Sequence, residues 1–167
     1  GWASGTGWQI LEGHQGVAEA SLSLREVAMD RDPHIMADVK VCGLKQTADK
    51  TVSCVRAGRV LVDTGATHSM IPRAMLAKIG VQPTSKMRAT LADGRQVDFD
   101  QARARICLMD DSGKKAACAV VPVGVIDDGH MVTVGASALR ALKARVEFGK
   151  DAGITATGQI LTVREDH

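Results

Sequence analysis

Aromatic side chains are almost missing from this chain: they make up 2% of it, as Trp2, Trp8, Phe99 and Phe148, and there is no tyrosine. Without them there is no platform on which unpaired bases could stack, so a single-strand nucleic-acid binder is excluded. Charge of one sign is missing too. The 21 Lys and Arg against 19 Asp and Glu leave +2, without a long basic run, so counterion release from a duplex would drive little binding. Long hydrophobic runs are absent: the longest nearly apolar stretch, 116–126, is far short of the roughly 20 residues that cross a bilayer, so no membrane partner is expected. No basic-then-apolar leader opens the sequence as given, and its first residue is glycine, the expected start of a processed or excised chain. The compartment stays unassigned, with a soluble, cytoplasmic chain among the options.

Cysteine is sparse. Four of them, Cys42, Cys54, Cys107 and Cys118, are too few for a disulfide-stapled miniature, and no pair has C-x-x-C spacing. Each neighbouring pair is symmetric about a turn-like segment, 47–49 or 110–115, so each could face its partner across a hairpin. Two readings remain open: four small core residues, or cross-strand pairs with a structural or redox role. The histidines His14, His34, His68, His130 and His167 show no metal-ligand spacing among themselves or with the cysteines, so no metal or other cofactor is expected.

What is present is a globular composition, 45% hydrophobic and 24% charged over 167 residues, the size of one domain. Residues 1–33 read as an N-terminal extension carrying one strand, closed by Asp30-Arg31-Asp32-Pro33, and 34–167 as the domain itself. From Ile35 onward, short Val- and Ile-rich segments recur every eight to twelve residues between Gly and Asp, the pattern of an all-β protein. Strands are expected at 35–42, 51–56, 59–63, 87–92, 95–100, 104–109, 116–126, 131–134, 145–148 and 158–163. Two stretches break the rhythm: 72–79, with proline in the first turn and Gly80 as a stop, and 137–144, with a basic last turn, each read as a short helix.

Both helices follow an apolar strand and a glycine turn, but only the first copy places an acid at the strand end. Asp63 closes the apolar run Val60-Leu61-Val62, where a carboxylate is costly to desolvate unless fixed donors surround it. Thr64 adds a short hydroxyl, and Gly65 permits a tight turn with close approach by another chain. Taken alone, Asp63 could simply cap the turn. His68, beside this loop, reads as a solvated or packing histidine.

The run Leu61-Val62-Asp63-Thr64-Gly65-Ala66-Thr67-His68-Ser69 resembles the catalytic loop of the retropepsins, the retroviral-type aspartic proteases with their bacterial and retroelement relatives. The resemblance continues in order through the helix-like 72–79 and a hairpin tipped by Leu91-Ala92-Asp93-Gly94-Arg95, where that family has its flap. After further strands comes Val132-Thr133-Val134-Gly135-Ala136-Ser137-Ala138-Leu139, similar to the family's second motif, two apolar residues and a glycine before the C-terminal helix, and the resemblance covers roughly 35–150. On the Asp93-Gly94 dipeptide alone the hairpin would be an ordinary surface turn.

The resemblance implies a closed, retropepsin-like β-barrel with one or two short helices and a flap hairpin. It also implies an aspartic endopeptidase acting on a peptide or protein substrate. Such chemistry needs two facing carboxylates that share a proton, and this chain has one Asp-Thr-Gly, so the partner would be Asp63 of a second copy on the two-fold axis of a homodimer. Asp63, Thr64 and Gly65 are then the catalytic residues. Ala66, the flap-tip residues Ala92, Asp93, Gly94 and Arg95, and the wall residues Met131 and Thr133 would contact substrate. Two features depart from the family pattern: Thr67 and Ala136 stand where many viral members carry an acid and an arginine that pair, and a 33-residue N-terminal extension and a long stretch after Phe148 stand where members often have short terminal strands that zip the dimer. The absence of tyrosine also excludes the flap tyrosine of pepsin-type enzymes. The alternative function is a non-catalytic peptide-binding or assembly module of the same fold, and a thiol-redox domain built on the cysteines is a more distant one.

Overall fold

The computed structural model describes residues 8–11, 17–23, 26–29, 32–46, 51–90, 93–110, 115–147 and 153–165. Its elements are strands β1 (Trp8–Leu11), β2 (Val17–Ser23), β3 (Glu26–Met29), β4 (Asp32–Gln46), β5 (Thr51–Val62) and β6 (Ser69–Pro72), then helix α1 (Arg73–Lys78). Strands β7 (Ser85–Thr90), β8 (Gln96–Met109), β9 (Lys115–Ile126) and β10 (Thr133–Val134) follow, then helix α2 (Ala136–Ala141), β11 (Arg145–Glu147) and β12 (Gly153–Glu165). The all-β expectation with two short helices holds. No helix among the described residues is long and apolar enough to cross a membrane.

The strands that carry the site belong to two long antiparallel hairpins, β4–β5 and β8–β9, joined along the β4–β8 seam. Strand β9 also pairs with β12, β12 with β1, and β1 with β5, so the succession of pairings returns to its start. Strands β1, β2 and β3 lie where one strand was read, and β2 runs along β12 from Val17↔Gln159 to Ser23↔Gly153.

Alternation along these strands assigns their two faces. On one face Val39, Val41, Val55, Ile106, Leu108 and Val121 join Val60, Val62, Ile71, Leu76, Leu139 and Leu142 in the main core. On the other, a smaller buried cluster gathers Val52, Met109 and Ala116 around all four cysteines. Those cysteines are paired: Cys42 with Cys54, and Cys107 with Cys118. The cross-strand reading holds, with each pair bonded across its hairpin, and the core reading holds for their burial.

Where the sequence divides one strand into two, pairing with the neighbouring strand keeps it whole. Gly58 adopts φ +78°, and the β4–β5 register shifts there, with Val39 opposite Gly58 but Lys40 opposite Arg56. The extra residue is a β-bulge, which lets β5 continue through a glycine. In β8 the polar 101–103 stretch looks like a break, yet Gln101, Ala102 and Arg103 stay in register with β9.

Candidate active site

Strand β5 delivers Asp63 as the first residue beyond Val62, in an exposed turn formed by Thr64 and Gly65. The loop is stitched internally: Gly65 N donates to Asp63 Oδ1 at 3.0 Å, and Ala66 N donates to the Asp63 carbonyl at 3.2 Å. Gly65 has a second reason to be glycine, since a Cβ there would stand 3.3 Å from Asp63 Oδ1.

The short segment before α2 then fixes the loop from outside. Strand β10 lies between β5 and β6, parallel to the first (Thr133↔Leu61, Val134↔Val62) and antiparallel to the second (Thr133↔Met70). Asp63 N donates to the Val134 carbonyl at 2.8 Å, Ala136 N to the Ala66 carbonyl at 2.7 Å, and Ser137 N to the Thr67 carbonyl at 2.8 Å. Ser69, wholly buried, accepts from Gly135 N through its Oγ at 2.9 Å. A Cβ on Gly135 would lie 2.6 Å from the His68 carbonyl carbon and oxygen and 2.9 Å from the Ala66 oxygen, so only glycine lets the two segments approach this closely. The two strand–glycine–helix units recognised in the sequence are thus laced together by backbone, and the one with the acid is the one left exposed. Rigid placement of a carboxylate by backbone hydrogen bonds is what acid–base chemistry demands of its catalytic group.

A family model described as aspartyl protease matches residues 37–138, a span that holds this loop, the β7–β8 hairpin and the β10–α2 segment. The chain belongs to the aspartyl protease family. Among solved structures it is similar to a retropepsin-like aspartic protease from Rickettsia conorii, 17% identical, over 86% of this chain and 94% of that one, with a TM-score of 0.40. It is also similar to the EIAV protease complexed with the inhibitor HBY-793, at 17% identity over 73% and 100% of the two chains, with a TM-score of 0.37. No curated protein matches.

In this aspartyl protease chain the hairpin expected as a flap is β7–β8, paired from Ser85↔Gln101 to Thr90↔Gln96. Ala92 lies outside the described residues. Asp93, Gly94 and Arg95 are exposed; Gly94 takes φ +87°, and Asp93 accepts from Arg95 N at 3.0 Å and from Arg95 Nε at 2.6 Å. A side chain that folds back on its own turn in this way is a characteristic use of aspartate.

Met131 and Thr133 line one groove of about 680 Å³ whose opposite wall comes from the hairpin, through Asp98, Phe99 and Asp100. Met131 is 70% exposed there, an unusual position for a large apolar side chain. Asp63 and the residues 93–95 do not line this groove, so the structure brings only part of the expected substrate-contacting set together. Sequence reading missed Asp100 and Arg73. Arg73, the first residue of α1, donates to Asp100 on β8 at 2.8 Å, and Lys86 Nζ lies 3.7 Å from the same carboxylate. The Arg73 hydrogen bond, against a smaller opposing effect of burial and helped by the charges of Lys86 and Arg73, holds the Asp100 carboxyl below its ordinary value. His68 is half-buried behind the loop, and its Nδ1 has no hydrogen-bond partner among the described residues.

Proposed function

We propose that the chain is an aspartic endopeptidase whose active unit is a homodimer, with Asp63 from each copy forming the catalytic dyad. The observation that carries this reading is the exposed Asp63, set in a loop fixed by the backbone of the Val134–Ser137 segment, in a chain of the aspartyl protease family. One carboxylate acts as general base on a water while its protonated partner polarises the scissile carbonyl; the product is a tetrahedral diol, with no covalent intermediate. Two such carboxylates cannot both ionise at close range, which is why a single Asp-Thr-Gly per chain suffices once a second copy supplies the other. Thr64 bonds across to the opposite loop, and Gly65 and Ala66 present backbone groups to an extended peptide. Ala92, Asp93, Gly94 and Arg95 form the lid, and Met131 and Thr133 form a side-chain wall. Residues 34–167 make up the protease domain, and 1–33 are an extension whose β1 pairs with β5 and β12, β2 with β12 and β3 with β4.

The test is cleavage of a mixed peptide library between about pH 4 and pH 7, the range in which a shared-proton dyad operates, at several protein concentrations beside Asp63→Asn. Activity that disappears in the variant and rises faster than linearly with concentration supports the reading. Peptide binding without cleavage at any concentration supports the alternative, a binding module of the same fold.

A further inference from the structure

The four cysteines come from four strands adjacent in the sheet, in the order β5, β4, β8, β9. Each disulfide joins residues directly opposite one another in a hairpin, Cys54 with Cys42 and Cys118 with Cys107. Across the seam between the hairpins, Cys42 Sγ and Cys107 Sγ lie 4.0 Å apart, in van der Waals contact. Cys42 pairs with Arg105 and Cys107 with Lys40, so the two cysteines are one diagonal step apart on the same face. The four sulfurs therefore form a row, 54–42–107–118.

Two properties of the row bear on its chemistry. A thiolate displaces one sulfur of a disulfide by attacking the other from the far side, and the strand order puts the leaving sulfur on the far strand in both directions: Cys118 lies one strand beyond Cys107 as seen from Cys42, and Cys54 one strand beyond Cys42 as seen from Cys107. The cysteine face also carries two buried cations, Lys40 and Arg105, 2% and 8% exposed, each directly opposite one of the inner cysteines. Cationic neighbours favour the thiolate that exchange requires.

We infer that the four cysteines act as one redox site, in which reduction of either hairpin disulfide moves the surviving bond to Cys42–Cys107. A dithiol reductant gives two electrons and two protons to Cys42–Cys54, becoming a disulfide itself and leaving two thiols. Cys42, deprotonated, attacks Cys107 Sγ; the Cys42–Cys107 bond forms, the Cys107–Cys118 bond breaks, and Cys118 leaves as a thiolate that takes up the released proton. If Cys107–Cys118 is reduced first, Cys107 attacks Cys42 and expels Cys54. Both routes end with thiols at Cys54 and Cys118 and one bond across the β4–β8 seam. The half-reduced chain has lost the clasp within each hairpin and gained one between them. One hairpin leads into the Asp63 loop and the other carries the flap strand, so the redox state changes how these two are tied.

The experiment is limited reduction of the full, folded chain with substoichiometric dithiothreitol at about pH 8, near the ordinary thiol pKa. It is followed by acid quench, alkylation and peptide mapping by mass spectrometry. The expected one-disulfide species is labelled at Cys54 and Cys118 and contains the linked Cys42–Cys107 peptides as the majority form. A one-disulfide species that retains an original hairpin pair overturns the inference, as does resistance of both bonds to dithiol until the chain unfolds. The double variant Cys54→Ala/Cys118→Ala tests the end state directly: with oxidised glutathione it should form Cys42–Cys107 while keeping a wild-type circular dichroism spectrum. Two persistent thiols in that folded variant overturn the inference as well. None of these readouts depends on peptidase activity.

Discussion

Ser69 Oγ accepts a hydrogen bond from Gly135 N at 2.9 Å, joining two residues 66 positions apart just behind the acid-bearing turn. Ser69 is fully buried, so no water can replace its hydroxyl without rearrangement. Ser69→Ala leaves the Gly135 amide unsatisfied and should lower the unfolding free energy by roughly 1–3 kcal/mol, the cost of a buried donor without a partner. Equilibrium denaturation with urea measures it. A loss below about 0.5 kcal/mol would mean that the loop relaxes and the amide finds another acceptor.

Glycines on the two sides of this junction should fail differently. At Gly135 a Cβ meets backbone at 2.6 Å, which cannot rotate away, so Gly135→Ala should destabilise by about 2 kcal/mol or more. At Gly65 the only close neighbour among the described residues is the Asp63 carboxylate oxygen at 3.3 Å, so Gly65→Ala should fold with a loss under about 1 kcal/mol. If Asp63 is catalytic as proposed, Gly65→Ala should nevertheless lower cleavage at least tenfold, by pushing the carboxylate off its position. Thermal melts and peptide cleavage on both variants separate the effects; equal destabilisation by the two would contradict the packing difference.

The parts of this architecture legible in the sequence were those encoded locally. The turn after Val62 and the two glycine-flanked helices each depend on a few adjacent residues, and the structure places them where the pattern indicated. The cysteine pairing could be narrowed from spacing alone, because symmetry about a turn is also local. What escaped depends on residues distant in the chain. Ser69–Met70-Ile71-Pro72 is too short to show alternation, and it becomes β6 only because β9 and β10 pair with it. The Arg73–Asp100 contact joins a helix start to a strand that reads as independent of it. Gly58 has the look of a break, whereas the partner strand makes it a bulge.

The Asp100 carboxyl gives a pH dependence of known sign. Arg73 and Lys86 favour its ionised form, so its folded pKa lies below the ordinary value of 3.8. A depressed carboxylate contributes stability that is fully present above the ordinary value and is lost as pH falls through the folded one. The tether between α1 and β8 should therefore remain formed at the mildly acidic pH where the proposed dyad is expected to work, and should open only in stronger acid. Carboxyl-carbon NMR titration of Asp100 checks this: Arg73→Ala should move the midpoint upward toward the ordinary value. An unmoved midpoint would show that the 2.8 Å contact does not persist in solution.

Gly124 on β9 seats two methionines. A Cβ there would lie 2.6 Å from Met70 Sδ and 2.8 Å from its Cε, and 3.4 Å from Met87 Sδ on β7. These obstacles are the ends of flexible thioether chains, unlike the backbone around Gly135, and methionine accommodates intrusion by rotating about several bonds. Gly124→Ala should therefore cost less than Gly135→Ala, about 1 kcal/mol. Its cost should also be non-additive with the loss of Met70. In Gly124→Ala/Met70→Ala the new methyl occupies space that the thioether has vacated, so the double variant should be more stable than the sum of the single losses by about 0.5 kcal/mol or more. Urea unfolding of the three variants closes the cycle. Strict additivity would show that Met70 is not what the glycine accommodates, and that the strain passes instead to Met87 and β7.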